Sequence, residues 1–266
     1  MEGKTVLITG ASAGIGRALA AEFAAHGHDL ILVARSVDKL RELAFELSGR
    51  HGVRAIHIPM NLSKRRSAGE LALAVRQRDL QVDILVNNAG VLEAGAFRHA
   101  DPDDLHRMVQ LNVASLTQLT HVFLGPMVER GYGRILNVAS VAGFQPVPGI
   151  AAYAATKAYV LSLSEALNEE VRGSGVSVTA LCPGVTDTDM AQKVSQLNPN
   201  MPHVPPLLLS SVGSVAREGY RACMRGEAVR VPGIANRIGT FWSQVQPRWV
   251  VRTLGGLVGR QLLKDR

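Results

Sequence analysis

Cysteine is nearly missing from this chain of 266 residues, with only Cys182 and Cys223 present. A disulfide scaffold and a cysteine-rich metal cluster are thereby excluded, and no metal site is expected. The simplest reading is two reduced thiols in a cytoplasmic protein. Aromatic residues are also scarce, at 5%. No run of about 20 uninterrupted apolar residues exists, so no membrane span is expected. The segment from Lys4 to Gly10 already reads as a buried strand, so no signal peptide is expected. Charge is modest at 19% against 47% hydrophobic residues, a balance that excludes global disorder. Acidic residues are outnumbered 22 to 29, for a formal charge of +7. The basic residues fall in short clusters such as Lys64-Arg65-Arg66 without interleaved aromatics. That pattern fits a solvated helix face and phosphate-bearing small ligands, and no nucleic-acid partner is expected.

What the chain does have is alternation. Thr5-Val6-Leu7-Ile8, Leu30-Ile31-Leu32-Val33, Arg54-Ala55-Ile56-His57-Ile58 and Ile84-Leu85-Val86 are short apolar runs of strand length. Arg134 to Val138 and Val176 to Leu181 continue the series, and 227–231 offers a last strand. Between them lie helical patterns: 15–25, then 37–47 with Leu40, Leu43, Ala44 and Leu47 at i, i+3, i+4, i+7, and later 212–224. Apolar strands separated by helices indicate an α/β fold, a doubly wound, Rossmann-like parallel sheet covered on both faces. Right-handed crossovers follow. No linker divides the chain, so 1–266 is expected to be one dinucleotide-binding catalytic domain. Four prolines and two asparagines between 198 and 206 mark a long loop, read here with its flanks (186–211) as a substrate lid. A C-terminal extension, 232–266, mixes Trp242 and Trp249 with arginines.

Directly after the first strand stands Thr9-Gly10-Ala11-Ser12-Ala13-Gly14-Ile15-Gly16, opening a helix. Glycines there permit a tight turn, close approach of backbone to a ligand, and close helix–sheet packing. The helix N-terminus adds free N–H groups and a positive dipole end, which suit a pyrophosphate. At the end of the second strand, where an NAD-preferring site places an acidic side chain, this chain has Arg35 followed by Ser36. A guanidinium suits a ribose 2′-phosphate, so NADP(H) is the expected cofactor.

Tyr153 and Lys157 stand four residues apart in an alanine-rich helix, which stacks both on one face. Thirteen residues upstream Ser140 closes a strand, at the end of the sheet where ligands bind in such folds. A free phenol near pKa 10 is a poor base at neutral pH, and a nearby cation would lower it toward the working range.

These features together resemble the short-chain dehydrogenase/reductase family, in its compact NADP-preferring form. The resemblance spans roughly 4–190 and rests on the glycine turn, Asn87-Asn88-Ala89-Gly90, Asn112, Ser140, Tyr153, Lys157 and Pro183-Gly184. It implies an oxidoreductase that moves a hydride between a nicotinamide and a carbonyl or secondary alcohol. Tyr153 would be the acid/base and Lys157 would lower its pKa and hold the nicotinamide ribose. Ser140 would polarise the carbonyl, and Asn112 would anchor a proton relay through water. The cofactor would lie on Gly10, Ser12, Gly14, Ile15 and Gly16, with Arg35 and Ser36 at the 2′-phosphate. Asn61 and Leu62 would lie near the adenine, and Asn88, Ala89 and Gly90 on the adenosine side. Pro183, Gly184, Val185 and Thr188 would flank the carboxamide. One departure stands out: Asn61 occupies a place where relatives commonly carry aspartate, though its side-chain oxygen can still accept a hydrogen bond.

The resemblance also implies a homodimer or homotetramer packed through the helices around 105–128 and 153–171. Phe144, Pro146 and Val147, with Met190, Met201, Val204 and Leu207-Leu208-Leu209, suggest an apolar pocket wall and a hydrophobic ketone or aldehyde substrate. A different class of function is a redox-sensing protein that binds the nucleotide without turnover. The tail around Trp249 to Val258 reads as a helix covering the cleft or a neighbouring subunit, the alternative being an interfacial membrane helix.

Overall fold

Alternation along the strands sets the layers. In a computed structural model, which describes residues 3–186, 209–247 and 249–253, Val6 and Ile8 of β1 (Thr5–Thr9) enter one apolar cluster while Leu7 enters another. Strand β2 (Asp29–Ala34) repeats this, with Leu30 and Leu32 on the first side and Ile31 and Val33 on the second. Period-2 side chains that are apolar at every position bury both faces of a sheet, and that requires helices on each side. The first face is covered by α1 (Gly14–Ala25), α2 (Val37–His51) and α7 (Val212–Arg225). The second is covered by α3 (Ser67–Arg76), α5 (Leu116–Glu129) and α6 (Ala151–Glu170).

The remaining strands are β3 (Ala55–Pro59), β4 (Ile84–Asn87), β5 (Gly133–Val138), β6 (Val176–Leu181) and β7 (Val229–Arg230). All pair in parallel, in the order β3-β2-β1-β4-β5-β6-β7. This is the expected doubly wound sheet. The order reverses between β1 and β4, so a crevice opens beyond their carboxyl ends. The last expected strand forms over two residues only. Helix α2 runs four residues past the expected end at Leu47, because Gly52 (φ 68°) supplies the left-handed stop.

Two further helical pieces matter for the site. Helix α4 (Pro102–Val109) passes into one turn of π-helix, Gln110–Ser115, before α5 begins. A short 3₁₀ turn, Val141–Phe144, follows β5. Beyond β7, helix α8 (Ile234–Val245) packs against that 3₁₀ turn.

A buried polar chain ties α6 to the sheet. Asn87 Nδ2 donates to Thr120 Oγ1 (3.0 Å) and to Asn137 Oδ1 (2.9 Å), and Asn137 Nδ2 donates to Ser164 Oγ (3.0 Å). Ser164 Oγ in turn donates to the Val160 carbonyl at 2.6 Å. Replacing Ser164 with alanine leaves the Asn137 amide buried and short of an acceptor. Urea unfolding should show a loss of about 1–3 kcal/mol, the cost of one orphaned buried donor; a loss near zero would mean that the chain carries no structural weight.

Candidate active site

Each strand from β3 to β6 delivers a site residue at its carboxyl end. In sheet order these are Asn61 after β3, Arg35 after β2, the glycine turn after β1, Asn88 to Gly90 after β4, Ser140 after β5, and Pro183-Gly184 after β6. Residues far apart in sequence thus form one row along a single edge.

The glycine turn is held by backbone constraints. Gly10 (φ 66°) and Gly14 (φ 53°) adopt conformations that other residues resist. A Cβ on Gly10 would stand 2.8 Å from Asn88 Nδ2, and one on Gly16 would collide with the Gly10 carbonyl. Asn88 clamps the turn by donating to the carbonyls of Thr9 (3.0 Å) and Gly10 (3.2 Å). Thr9 Oγ1 accepts from the Asn88 and Ala89 amides at 2.9 and 3.0 Å. Asn88 and Ala89 therefore brace the crevice wall, and Thr9, not singled out in the sequence, is the hub. Helix α1 starts on Ala13 with no side-chain cap and no acidic residue in its first turn, while Ser12 and Ile15 are partly exposed. Its N–H groups are left for an anion.

Arg35 and Ser36 are exposed at the head of α2. Ser36 makes no side-chain cap bond, and Arg35 has no ion-pair partner among the described residues. Asn61 is exposed above buried Leu62, and its Oδ1 already accepts from Ser63 N (3.1 Å) and Ser63 Oγ (2.7 Å). An adenine amino group would compete with that local turn for the oxygen.

The four expected catalytic side chains converge where β5, α6 and the π turn meet. Lys157 Nζ is buried and donates to the Val138 carbonyl at 2.8 Å, and it lies 5.6 Å from the centre of the Tyr153 ring. Ser140, extended at φ −170°, accepts from the Ala142 amide (3.1 Å) and stands beside the Tyr153 side chain. Asn112 is buried in the π turn: its Oδ1 accepts from Val91 N and its Nδ2 donates to Val91 O, both at 2.9 Å, and to Thr156 Oγ1 at 3.2 Å. Gly90 sits between them, since a Cβ there would lie 3.2 Å from Asn112 Oδ1 and 3.7 Å from Lys157 Nζ. π turns recur at functional sites because the extra residue re-aims the helix at that point.

Besides Thr9, three further contributors were not singled out in the sequence. Gly143 lets the 3₁₀ turn press on α6, where a Cβ would meet the Lys157 carbonyl at 2.8 Å. Thr156 links Asn112 to α6 and donates to the Tyr153 carbonyl at 2.7 Å. Asn236 of α8 fills the space over Gly184, where a Cβ would lie 2.5 Å from its Nδ2. Only Gly143, a glycine between Ser140 and Tyr153, left any mark in the sequence. Pro183 is buried and Val185 exposed in the segment beneath. Ser210 N donates to Val185 O (3.0 Å), and Thr186 bridges to Ser210, which pins the two ends of the expected lid together. Thr188, Met190, Met201, Val204, Leu207 and Leu208 lie outside the described residues.

A family model described as short chain dehydrogenase matches residues 4–198. The chain belongs to that family. Oxidoreductase UcpA of Escherichia coli (strain K12) is 38% identical over 204 residues, covering 76% of this chain and 77% of that one. A sulfoacetaldehyde reductase of Chromohalobacter salexigens is 40% identical over 186 residues, 69% and 73% of the two chains. Among solved structures, a short-chain dehydrogenase from Sphingobium yanoikuyae in complex with NADPH superposes with a TM-score of 0.80 at 32% identity, covering 99% of this chain and 96% of its own. A bulky-bulky ketone specific alcohol dehydrogenase from Comamonas testosteroni gives 0.77 at 30% identity, covering 100% and 96%. This short-chain dehydrogenase is thus an oxidoreductase with a nicotinamide cofactor. No described helix is long and apolar enough to cross a membrane, and Cys182 and Cys223 are free and buried.

Electrostatics at the site run opposite to one expectation. Burial pushes Tyr153 up to about 12, offset in part by the Ser140 hydroxyl, where a neighbouring cation was expected to lower it. Lys157 is itself pulled down to about 8, because burial disfavours its charge more than its surroundings favour it. A depressed lysine makes the fold less stable as pH falls from the unfolded value of 10.5 through the folded value of about 8. Tyr153 acts in a separate window, since a raised phenol loses stability only as pH rises from 10 toward 12. Replacing Lys157 with methionine removes the first effect alone. The stability of the native protein relative to Lys157→Met should climb by about 2 kcal/mol between pH 7 and pH 9.5, followed by denaturant midpoints. A difference independent of pH would mean that the lysine is not held in a dry site.

Proposed function

We propose that this protein interconverts an apolar ketone or aldehyde and its alcohol using NADP(H), with Tyr153 as the proton donor and acceptor. The observation that carries the reading is the convergence of Ser140, Tyr153, Lys157 and Asn112 beside an intact glycine cradle. The residues present fit the cofactor. At Gly10 and Gly16 the backbone and Asn88 approach too closely for any Cβ, which keeps the turn tight, and the α1 N-terminus has no side-chain cap of its own. Gly10, Ser12, Gly14, Ile15 and Gly16 would hold the pyrophosphate, and Arg35 with Ser36 the 2′-phosphate. Asn61 and Leu62 would border the adenine. Asn88, Ala89 and Gly90 would wall the adenosine side, Tyr153 and Lys157 would reach the ribose, and Pro183, Gly184, Val185 and Thr188 would meet the carboxamide. When bound, the cofactor supplies or accepts the hydride.

The chain's own groups manage the proton. A phenol held near 12 keeps its proton at neutral pH, so Tyr153 is poised to give it to a carbonyl oxygen. Ser140 donates a second hydrogen bond to that oxygen and orients it. Lys157, below its pKa at neutral pH, stabilises the phenolate that remains. Asn112 holds the Gly90–Val91 loop and α6 in register, which fixes the path along which a proton returns. Partly buried Phe144 and Val147 between Ser140 and Tyr153 favour an apolar substrate, and the similar Comamonas testosteroni enzyme is specific for bulky-bulky ketones. Helices α5 and α6, with exposed Val128 and Tyr159, would form the contact of a homodimer or homotetramer.

A spectrophotometric screen of carbonyl compounds graded by size and polarity should find NADPH oxidation with the apolar members. Tyr153→Phe should lower turnover by about 10²–10⁴ and leave NADPH affinity little changed. Unaltered turnover would remove Tyr153 from the chemistry, and NADPH binding without turnover across the panel would favour a binding protein. Arg35→Ala should shrink the preference for NADPH over NADH about ten- to a hundred-fold, the worth of charge-assisted hydrogen bonds to one phosphate. A preference that survives would place the 2′-phosphate elsewhere.

A further inference from the structure

Helix α8 docks on the domain with its polar side. Thr240 and Ser243 are buried and Asn236 lies over Gly184, whereas Ile234, Ile238, Phe241, Trp242 and Val245 face outward. These recur at i, i+4, i+7, i+8 and i+11, a continuous apolar stripe along the helix. Ile238 is 65% and Phe241 67% exposed.

Beside the stripe, a groove of about 340 Å³ opens between α7 and α8, lined by Arg217, Arg221, Arg230, Arg237, Glu218 and Ile234. Arg230 is paired with Glu218 at 2.9 Å. Arg217, Arg221 and Arg237 are exposed and have no acidic partner among the described residues. The sequence reinforces the sign: 232–266 holds six basic residues and one acidic, Asp265, so most of the excess of +7 resides there. Ile234 belongs to both features, so cationic groove and apolar stripe are continuous.

We propose that this face seats the protein on an anionic phospholipid surface, the stripe entering the headgroup–acyl boundary and the arginines taking lipid phosphates. Aromatic and aliphatic side chains flanked by guanidinium groups are the composition of an interfacial helix. Tryptophan suits that boundary, being apolar with one polar edge. A second copy of the chain fits less well. A two-fold contact through the stripe would bring like patches together, setting the unpaired arginines of one copy near those of the other.

The test uses the full chain and two vesicle types, phosphatidylcholine alone and phosphatidylcholine with phosphatidylserine. The protein should float with the anionic vesicles, stay behind with the neutral ones, and be released by added salt. Arg217→Ala, Arg221→Ala and Arg237→Ala should each weaken partitioning about five-fold. The double variant Ile238→Glu, Phe241→Glu should abolish it, with thermal melting and NADPH affinity unchanged as evidence of folding. No flotation, equal flotation on both vesicle types, or arginine variants that float like the native chain would each overturn the proposal. If flotation fails while the double variant lowers the mass found by light scattering, the occupant is a second copy, and the lipid assignment falls.

Discussion

The seating of α6 on the carboxyl end of β5 is the constraint from which the site follows. One hydrogen bond, Lys157 Nζ to the Val138 carbonyl, brings the helix bearing Tyr153 to the end of the strand that Ser140 follows. The Asn137–Ser164 bond fixes the same helix two turns farther along. An all-apolar seat would let the helix slide or rotate, because hydrophobic contact has no direction. Polar contacts with defined lengths and angles do not allow that. The fold accepts a buried amine with a depressed pKa at this point, a cost to stability that grows as pH falls from 10.5 and is complete below about 8.

The sheet order distributes the other contacts. Because β1 and β4 are neighbours with crossovers on opposite faces, the loops that follow them diverge and leave a crevice. Thr9 and Asn88 then stitch the two loops together across that crevice. Gly10, Gly16 and Gly143 serve one purpose in different places: each removes a side chain where backbone or a clamp must approach closely. Adding a methyl group at any of them would push apart elements that the site needs in contact.

The fold was legible because both sources of the signal are local. Strands such as Val6-Leu7-Ile8 are apolar at every position, and helices such as 37–47 carry apolar residues at helical spacing, so neither reading needs tertiary knowledge. Tyr153 and Lys157 were legible for the same reason, four residues apart on one helix. What stayed hidden depends on packing. The π turn at Asn112 carries no composition of its own. The engagement of Asn61 Oδ1 by Ser63 depends on how the chain turns after β3. The upward shift of Tyr153 is a desolvation effect, set by atoms remote in sequence and invisible in a Tyr-x-x-x-Lys spacing.

Helix α8 shows why an amphipathic pattern alone does not say which face points inward. Its buried hydroxyls satisfy themselves along the helix: Thr240 Oγ1 donates to Asn236 O at 2.9 Å, and Ser243 Oγ donates to Thr240 O at 2.8 Å. Asn236 likewise donates from its amide to Pro232 O at 3.1 Å. Small polar residues whose bonds close within their own turn can be buried without partners elsewhere and without large desolvation cost. Small side chains also let the helix backbone come close to the 3₁₀ turn that follows Ser140. The apolar residues are therefore left outside without the inward hydroxyls being short of hydrogen bonds.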